Sequence, residues 1–408
     1  MSSPAQPGRV VSFADARHAV EEHARALRPG GTEALPLIEA TGRVLAEPIV
    51  ADRDFPPFAR ATRDGFAVHA ADVAKVPARL KVVAELKAGA IAERAIGPGE
   101  CAEIMTGAPA PSGADAVVMV EYTARSGDSV EIQRSVAAGE NIVASGSEAR
   151  AGEELVAAGT RIAFPQVAVA AAAGKSWVNV YRRAHVAVLT TGDEVVEIGR
   201  APEASQIRNS NAYSLSAQLL AAVAEPVRLP IAPDEPRRLR EIIEEGLQSD
   251  LLLLTGGVSM GKYDLVEQVL GELRAEFFFT GAQIQPGRPV VFGKARDKYF
   301  FGLPGNPIST MVTFDLFVRP MLDALSGAPV APLVYVQARL KAEFRTKTGL
   351  TRFLPARLEG EFERAEVEPV RWQGSGDVAA NARANCYLVV PPDRDRLAAG
   401  EAVSILLR

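Results

Sequence analysis

Residues 250–270 read DLLLLTGGVSMGKYDLVEQVL. Four consecutive leucines without polar alternation mark a strand buried on both faces, as in a parallel sheet covered by helices on each side. Thr255, Gly256 and Gly257 break the run, and helical apolar spacing follows. The same pattern, apolar strand, small-residue loop and then helix, is read in AHVAVLTTGDEVV at 184–196 and YFFGLPGNPISTMVTFDLF at 299–317. Loops at the carboxyl ends of neighbouring parallel strands converge on one ligand. Here they offer backbone amides, hydroxyls and carboxylates, a set suited to phosphates and a divalent cation.

Working outward, 408 residues imply about two to four domains. The 45 Lys and Arg against 50 Asp and Glu leave a net charge of −5 with no basic block, which argues against nucleic-acid binding. The N-terminus lacks the build of a signal peptide, and the longest uncharged apolar run, 167–173, is far short of a membrane span. Two distant cysteines, Cys101 and Cys386, and four histidines without zinc spacing predict a cytoplasmic protein with no His/Cys metal site.

A helix is predicted over 12–27 with Ser12 as its cap, followed by a proline-rich break at 48–63. Short β-like runs fill 79–143, which reads as a small β domain inserted into the first region; 151–180 is expected to rejoin the first helix. The α/β domain follows, with further helices at 211–224 and 236–248. After Pro329 the chain is β-like to its end, predicting a barrel or sandwich with 349–352 and 373–376 in loops. The division is 1–52 with 146–182, then 53–145, 183–328 and 329–408.

Within LPGNPIS, Asn306 takes the N-cap place, Pro307 the first helical position, and Gly305 allows close backbone approach. The helix start then favours an anion, although a capped helix without ligand reads the same. TGGVSMGKYD supplies the hydroxyls of Thr255 and Ser259, Lys262 for a phosphate, and Asp264 where a helix begins; it is not a Walker A loop. Asp193 and Glu194 stand side by side at a strand end and suit Mg²⁺, which takes a few oxygen ligands plus water, although taken alone the pair reads more readily as a solvated turn. Asn211 caps its helix or donates to a ligand, with capping the commoner role. Asp64–Gly65 reads as a plain turn, and Thr106–Gly107 as another small-residue loop.

In this order, TRDGFAV, IMTGAPAPSGADAVV, TTGDEVV, RNSNAYSL, TGGVSMGKYD, QPGRPVVFG and GLPGNPIS resemble the molybdopterin molybdenumtransferases, the MoeA and gephyrin E-domain family, over almost the whole chain. Any one motif is weak; seven in order are specific. The resemblance implies a multidomain α/β plus β fold: a central molybdopterin-binding-type three-layer α/β domain, an inserted β-rich domain, a C-terminal β-barrel and an N-terminal helical and linker region. It implies a homodimer whose cleft uses loops of both subunits, and an enzyme that inserts molybdenum from molybdate into adenylylated molybdopterin with release of AMP, assisted by Mg²⁺. Molybdopterin adenylyltransferase and apo-molybdoenzymes are the implied protein partners. By motif match, Asp64, Asp193, Glu194 and Asp264 bind cations or position water, with Asp64, Glu194 and Asp264 as metal ligands. Thr106 and Ser259 hydrogen-bond the pterin, phosphate or oxoanion. The amides of Gly256, Gly257, Gly305 and Asn306 hold phosphate, Pro304 and Pro307 shape the loop, and Arg288 pairs with an anion. Asn211, Lys262, Ser309, Arg352 and Ser375 complete the binding set.

Two departures stand out. Some family members carry an arginine-rich loop where this chain has ENIVASGSEA, with Val143, Ala144 and Ser145 at the arginine positions and Glu148 as the remaining acid. IKPGKP in some members is IQPGRP here, placing Gln285 at a lysine position. Fewer positive charges predict weaker or rearranged oxoanion binding. Two other readings are a catalytically altered scaffold homologue and a molybdopterin adenylyltransferase, whose fold stands alone without the extra domains.

Overall fold

The computed structural model describes residues 9–90, 92–256 and 265–408. Its centre is a six-stranded sheet ordered Glu225–Arg228, His185–Thr190, Leu251–Thr255, Lys298–Leu303, Val291–Ala295 and Glu276–Phe279. The first four strands are parallel; Val291–Ala295 runs against them, and Glu276–Phe279 pairs antiparallel with it and so runs in their direction. The leucine run works as its sequence predicts. Leu251 and Leu253 enter one apolar core with the helices Phe13–Ala26, Ser210–Ala221 and Pro307–Thr313, while Leu252 and Leu254 enter a second core with Pro236–Gly246 and Leu265–Glu272. All four are fully buried, each worth roughly 1.5–3 kcal/mol relative to exposure. The result is a three-layer α/β/α sandwich.

The first helix is capped by Ser12, whose side chain accepts from the Asp15 amide. It packs against Arg319–Leu325 and belongs to the central core. The segment expected to rejoin it instead pairs with the strand after it: Trp177–Tyr181 runs antiparallel to Thr32–Pro36 in a small separate core. The loop after Thr190 is followed not by a helix but by a two-residue strand, Val195–Val196, paired in parallel with Ile207–Arg208. The helix comes only after this excursion, because two consecutive valines pair more readily than they coil.

The inserted region forms a six-stranded mixed sheet with its own core. Asp64–Gly65 is not a turn: Gly65–Val68 is a strand between two others, and a Cβ on Gly65 would lie 1.9 Å from the Val118 carbonyl oxygen. Five C-terminal strands, Thr351–Glu359, Glu366–Pro369, Tyr335–Leu340, Ala402–Leu407 and Cys386–Val390, close on themselves as a barrel. Arg352, expected in a loop, lies in the first of these strands, where Ile284–Gln285 of the central region adds to it in parallel.

Candidate active cleft

Register creates the site. Thr190, Thr255 and Leu303 end three parallel strands and are direct cross-strand partners, so the chain leaves the sheet at one level three times. The exits border a cleft of about 610 Å³, closed on one side by Gly376 and Val378 of the C-terminal barrel. Of the residues expected at a site, Glu194, Asn211, Gly256, Pro304, Gly305, Asn306 and Pro307 line it.

The exits are locked together. Thr255 Oγ1 donates to the Pro304 carbonyl, so it accepts from Asn211 Nδ2 at 2.9 Å; the same Nδ2 donates to the Gly305 carbonyl at 2.7 Å. Asn211 is therefore a clamp between two loops and not a cap. Asn209 caps that helix, its oxygen accepting from the Ala212 amide and the Thr190 hydroxyl. With its nitrogen committed, Asn211 leaves its oxygen buried without a partner, as is Thr191 Oγ1. Two orphaned polar atoms in one cleft wall cost about 1–3 kcal/mol each unless a ligand or ordered water meets them. Gly256 has φ +90°, and a Cβ there would lie 2.5 Å from the Thr191 carbonyl oxygen.

Asn306 occupies the N-cap place of Pro307–Thr313, but its side chain makes no capping bond. The Ile308 amide is taken by the Ser375 carbonyl at 3.0 Å, which ties the barrel to this helix. A second hollow of about 440 Å³ shares Pro289, Pro304 and Asn306 with the cleft and holds Arg288, Ser309 and Ser375. Two of its lining residues, Gln285 and Leu350, hold Arg352, 5% exposed and not itself in the lining: Nε donates to Gln285 Oε1 at 2.9 Å and Nη1 to the Leu350 carbonyl. No ion pair to it forms among the described residues, and burial lowers its pKa. A desolvated guanidinium without a carboxylate is a standing demand for an anion.

Asp193 lies beside the cleft and accepts from the Asp234 amide; burial, then the charges of Asp193 and Glu194, raise the Asp234 pKa. Asp64 and Thr106 do not reach the cleft of their own chain. They form a pair in the inserted sheet: one Asp64 oxygen accepts from the Thr106 amide at 2.6 Å and its hydroxyl at 2.8 Å, holding the exposed carboxyl below its usual pKa. Gly257, Ser259, Lys262 and Asp264 lie outside the described residues. Among the described residues no three His, Cys, Asp or Glu gather as a metal cage, and no helix is long and apolar enough to cross a membrane. Sequence reasoning missed Thr190, Thr191, Ile207, Arg208, Asn209, Ser210 and Val378 as lining residues. Most sit inside or beside the TTGDE and RNSNAYS motifs, where adjacency to the clamp was the available signal.

Three family models divide the chain: the MoeA N-terminal region (domain I and II) matches residues 11–174, the probable molybdopterin binding domain 187–324, and the MoeA C-terminal region (domain IV) 337–407. The molybdopterin molybdenumtransferase of Bacillus subtilis strain 168 is 34% identical over 389 residues, covering 93% of this chain and 90% of that one. The chain belongs to the MoeA family. Another relative, the molybdopterin molybdenumtransferase of Staphylococcus aureus strain Mu50, is 33% identical over 382 residues, covering 91% and 90%. A solved molybdopterin biosynthesis MoeA protein of Pyrococcus horikoshii OT3 superposes with a TM-score of 0.81 at 31% identity, covering 98% of this chain and all of that one. A MoeA-family fold thus places the cleft at the strand ends of the probable molybdopterin binding domain, with the C-terminal barrel as one wall.

Proposed function

We propose that this chain is a Mg²⁺-dependent molybdopterin molybdenumtransferase: it takes adenylylated molybdopterin and molybdate, inserts the metal and releases AMP. The observation that carries the reading is the clamped triple exit of the central sheet beside a hollow over an unpaired, buried Arg352. The cleft suits a diphosphate whose ring or hydroxyl donors meet the orphaned oxygens of Asn211 and Thr191. Molybdate, a tetrahedral dianion, fits the adjoining hollow, where Arg288 and Ser375 line the wall and the buried Arg352 adds its charge from behind the lining residues Gln285 and Leu350, to which it is hydrogen-bonded. Gln285 accepts from Arg352 without adding a second cation, so the dianion is held by fewer charges than a lysine there would provide.

A magnesium ion fits the donor set, because it is carried mainly by phosphate and water and needs only one or two carboxylates. Glu194 lines the cleft and is the first of these; Asp264, outside the described residues, is the second by motif match alone. The ion supplies neutralisation of the diphosphate and polarisation of the bond to be cleaved. Thr106 holds Asp64 ionised and aimed from the inserted sheet. Its distance from the cleft of its own chain accords with a homodimer in which a second copy brings Asp64 in. Phe164 at 86%, Ile38 at 72% and Trp177 at 59% exposure give one small lobe an apolar surface suited to such a contact. A cytoplasmic setting, with molybdopterin adenylyltransferase upstream and apo-molybdoenzymes downstream, accords with the two buried free thiols and the substrates.

The test combines purified protein, adenylylated molybdopterin and Mg²⁺ with and without molybdate. AMP release stimulated by molybdate is expected; release indifferent to molybdate overturns the assignment.

A further inference from the structure

The cleft lining mixes polar with apolar residues, and two large aliphatic side chains line it while remaining open to water: Ile207, 59% exposed, and Val378, 42% exposed. They come from different lobes. Ile207 ends the excursion before the clamp helix, and its amide donates to the Glu194 carbonyl at 2.8 Å while its strand pairs with Val195. Val378 opens the short helix Val378–Ala382 of the barrel lobe. Its amide donates to the Gly376 carbonyl, and the preceding Asp377 accepts from the amides of Ala380 and Gln373. Both side chains are thus presented by backbone bonds in place before any ligand arrives, so little ordering opposes binding.

We propose that Ile207 and Val378 form an apolar clip for a flat, bicyclic heteroaromatic ring of the ligand, and so set the specificity of the cleft. Aliphatic faces cannot satisfy phosphates or an oxoanion; they gain only by being covered, and a planar ring covers them best. The clip makes the C-terminal lobe part of ring recognition. It rests on the proposed substrate, which carries two such rings, adenine and pterin.

Isothermal titration with Mg²⁺ present, using AMP, ribose 5-phosphate and neopterin on the full chain, separates them. The wild type is expected to prefer AMP over ribose 5-phosphate, which lacks the ring, or to bind neopterin. Ile207→Ser with Val378→Ser should erase that preference, or weaken neopterin, by roughly 10- to 50-fold from the lost apolar cover. Ribose 5-phosphate affinity and the melting midpoint should stay put, since both side chains are already exposed. Ile207→Val with Val378→Ile should restore the wild-type values. Loss for AMP assigns the clip to adenine, and loss for neopterin assigns it to pterin. Unchanged ring affinity in the double serine variant overturns the clip alone; failure of the wild type to bind either ring-bearing probe overturns both the clip and the proposed substrate.

Discussion

Gly256 and Gly305 look alike in sequence, each a small residue in a loop after an apolar strand, but the structure sets them apart. Gly256→Ala forces a Cβ to within 2.5 Å of the Thr191 carbonyl oxygen at a φ of +90°, whereas a Cβ on Gly305 comes no nearer than 3.6 Å, to the Gly256 Cα, an ordinary contact. The left-handed backbone costs a side chain about 1–2 kcal/mol, and relieving a backbone clash in a packed region costs about 1–3 more. Gly256→Ala should therefore lose about 2–5 kcal/mol, lowering the melting midpoint of the central domain by roughly 4–20 °C. Gly305→Ala should stay within about 0.5 kcal/mol of wild type. Relief requires the Thr191 and Gly256 exits to part by about 0.5–1 Å, which misaligns the cleft and should cut molybdate-stimulated AMP release by about 100-fold. Calorimetry and an AMP assay on both variants decide the matter. Equal melting points for the two alanine variants, or wild-type turnover by Gly256→Ala, would refute the close approach of these exits as the basis of the site.

Three further outcomes follow from named contacts. Thr106→Ala removes the hydroxyl bond to Asp64 but keeps the amide bond; the Asp64 pKa, held low in the native state, should rise, so the acidic limb of the pH–rate profile moves to higher pH, and an unmoved limb separates Asp64 from turnover. The same sign governs stability: the contribution of Asp64 is present above its ordinary pKa and is lost as pH falls through the native one. Glu194→Gln should raise the Mg²⁺ concentration for half-maximal activity roughly tenfold with the fold intact; an unchanged Mg²⁺ response removes Glu194 from the metal. Arg352→Met removes a buried, unpaired charge, so stability should hold or rise while the KM for molybdate increases at least about tenfold; a lowered melting point with unchanged KM would make Arg352 structural.

The central sheet was legible because its evidence is local. Four leucines in a row state burial on both faces, and Ser12 and Pro307 mark their helix starts in neighbouring residues. The motif order likewise placed Glu194, Gly256, Gly305 and Asn306 at one cleft, since parallel strands of similar length end at one level. Roles that hang on distant partners were not legible. Asn211 reads as a cap until Thr255, 44 residues on, and Gly305, 94 residues on, are brought to its amide. Arg352 reads as a loop residue until Gln285, 67 positions away, pairs beside it and buries its charge. Asp64–Gly65 reads as a turn until two neighbouring strands enclose it. Periodicity and capping act over one helical turn or a few strand residues and are written into adjacent side chains; which buried donor meets which acceptor depends on how remote segments pack, and only the folded chain decides it.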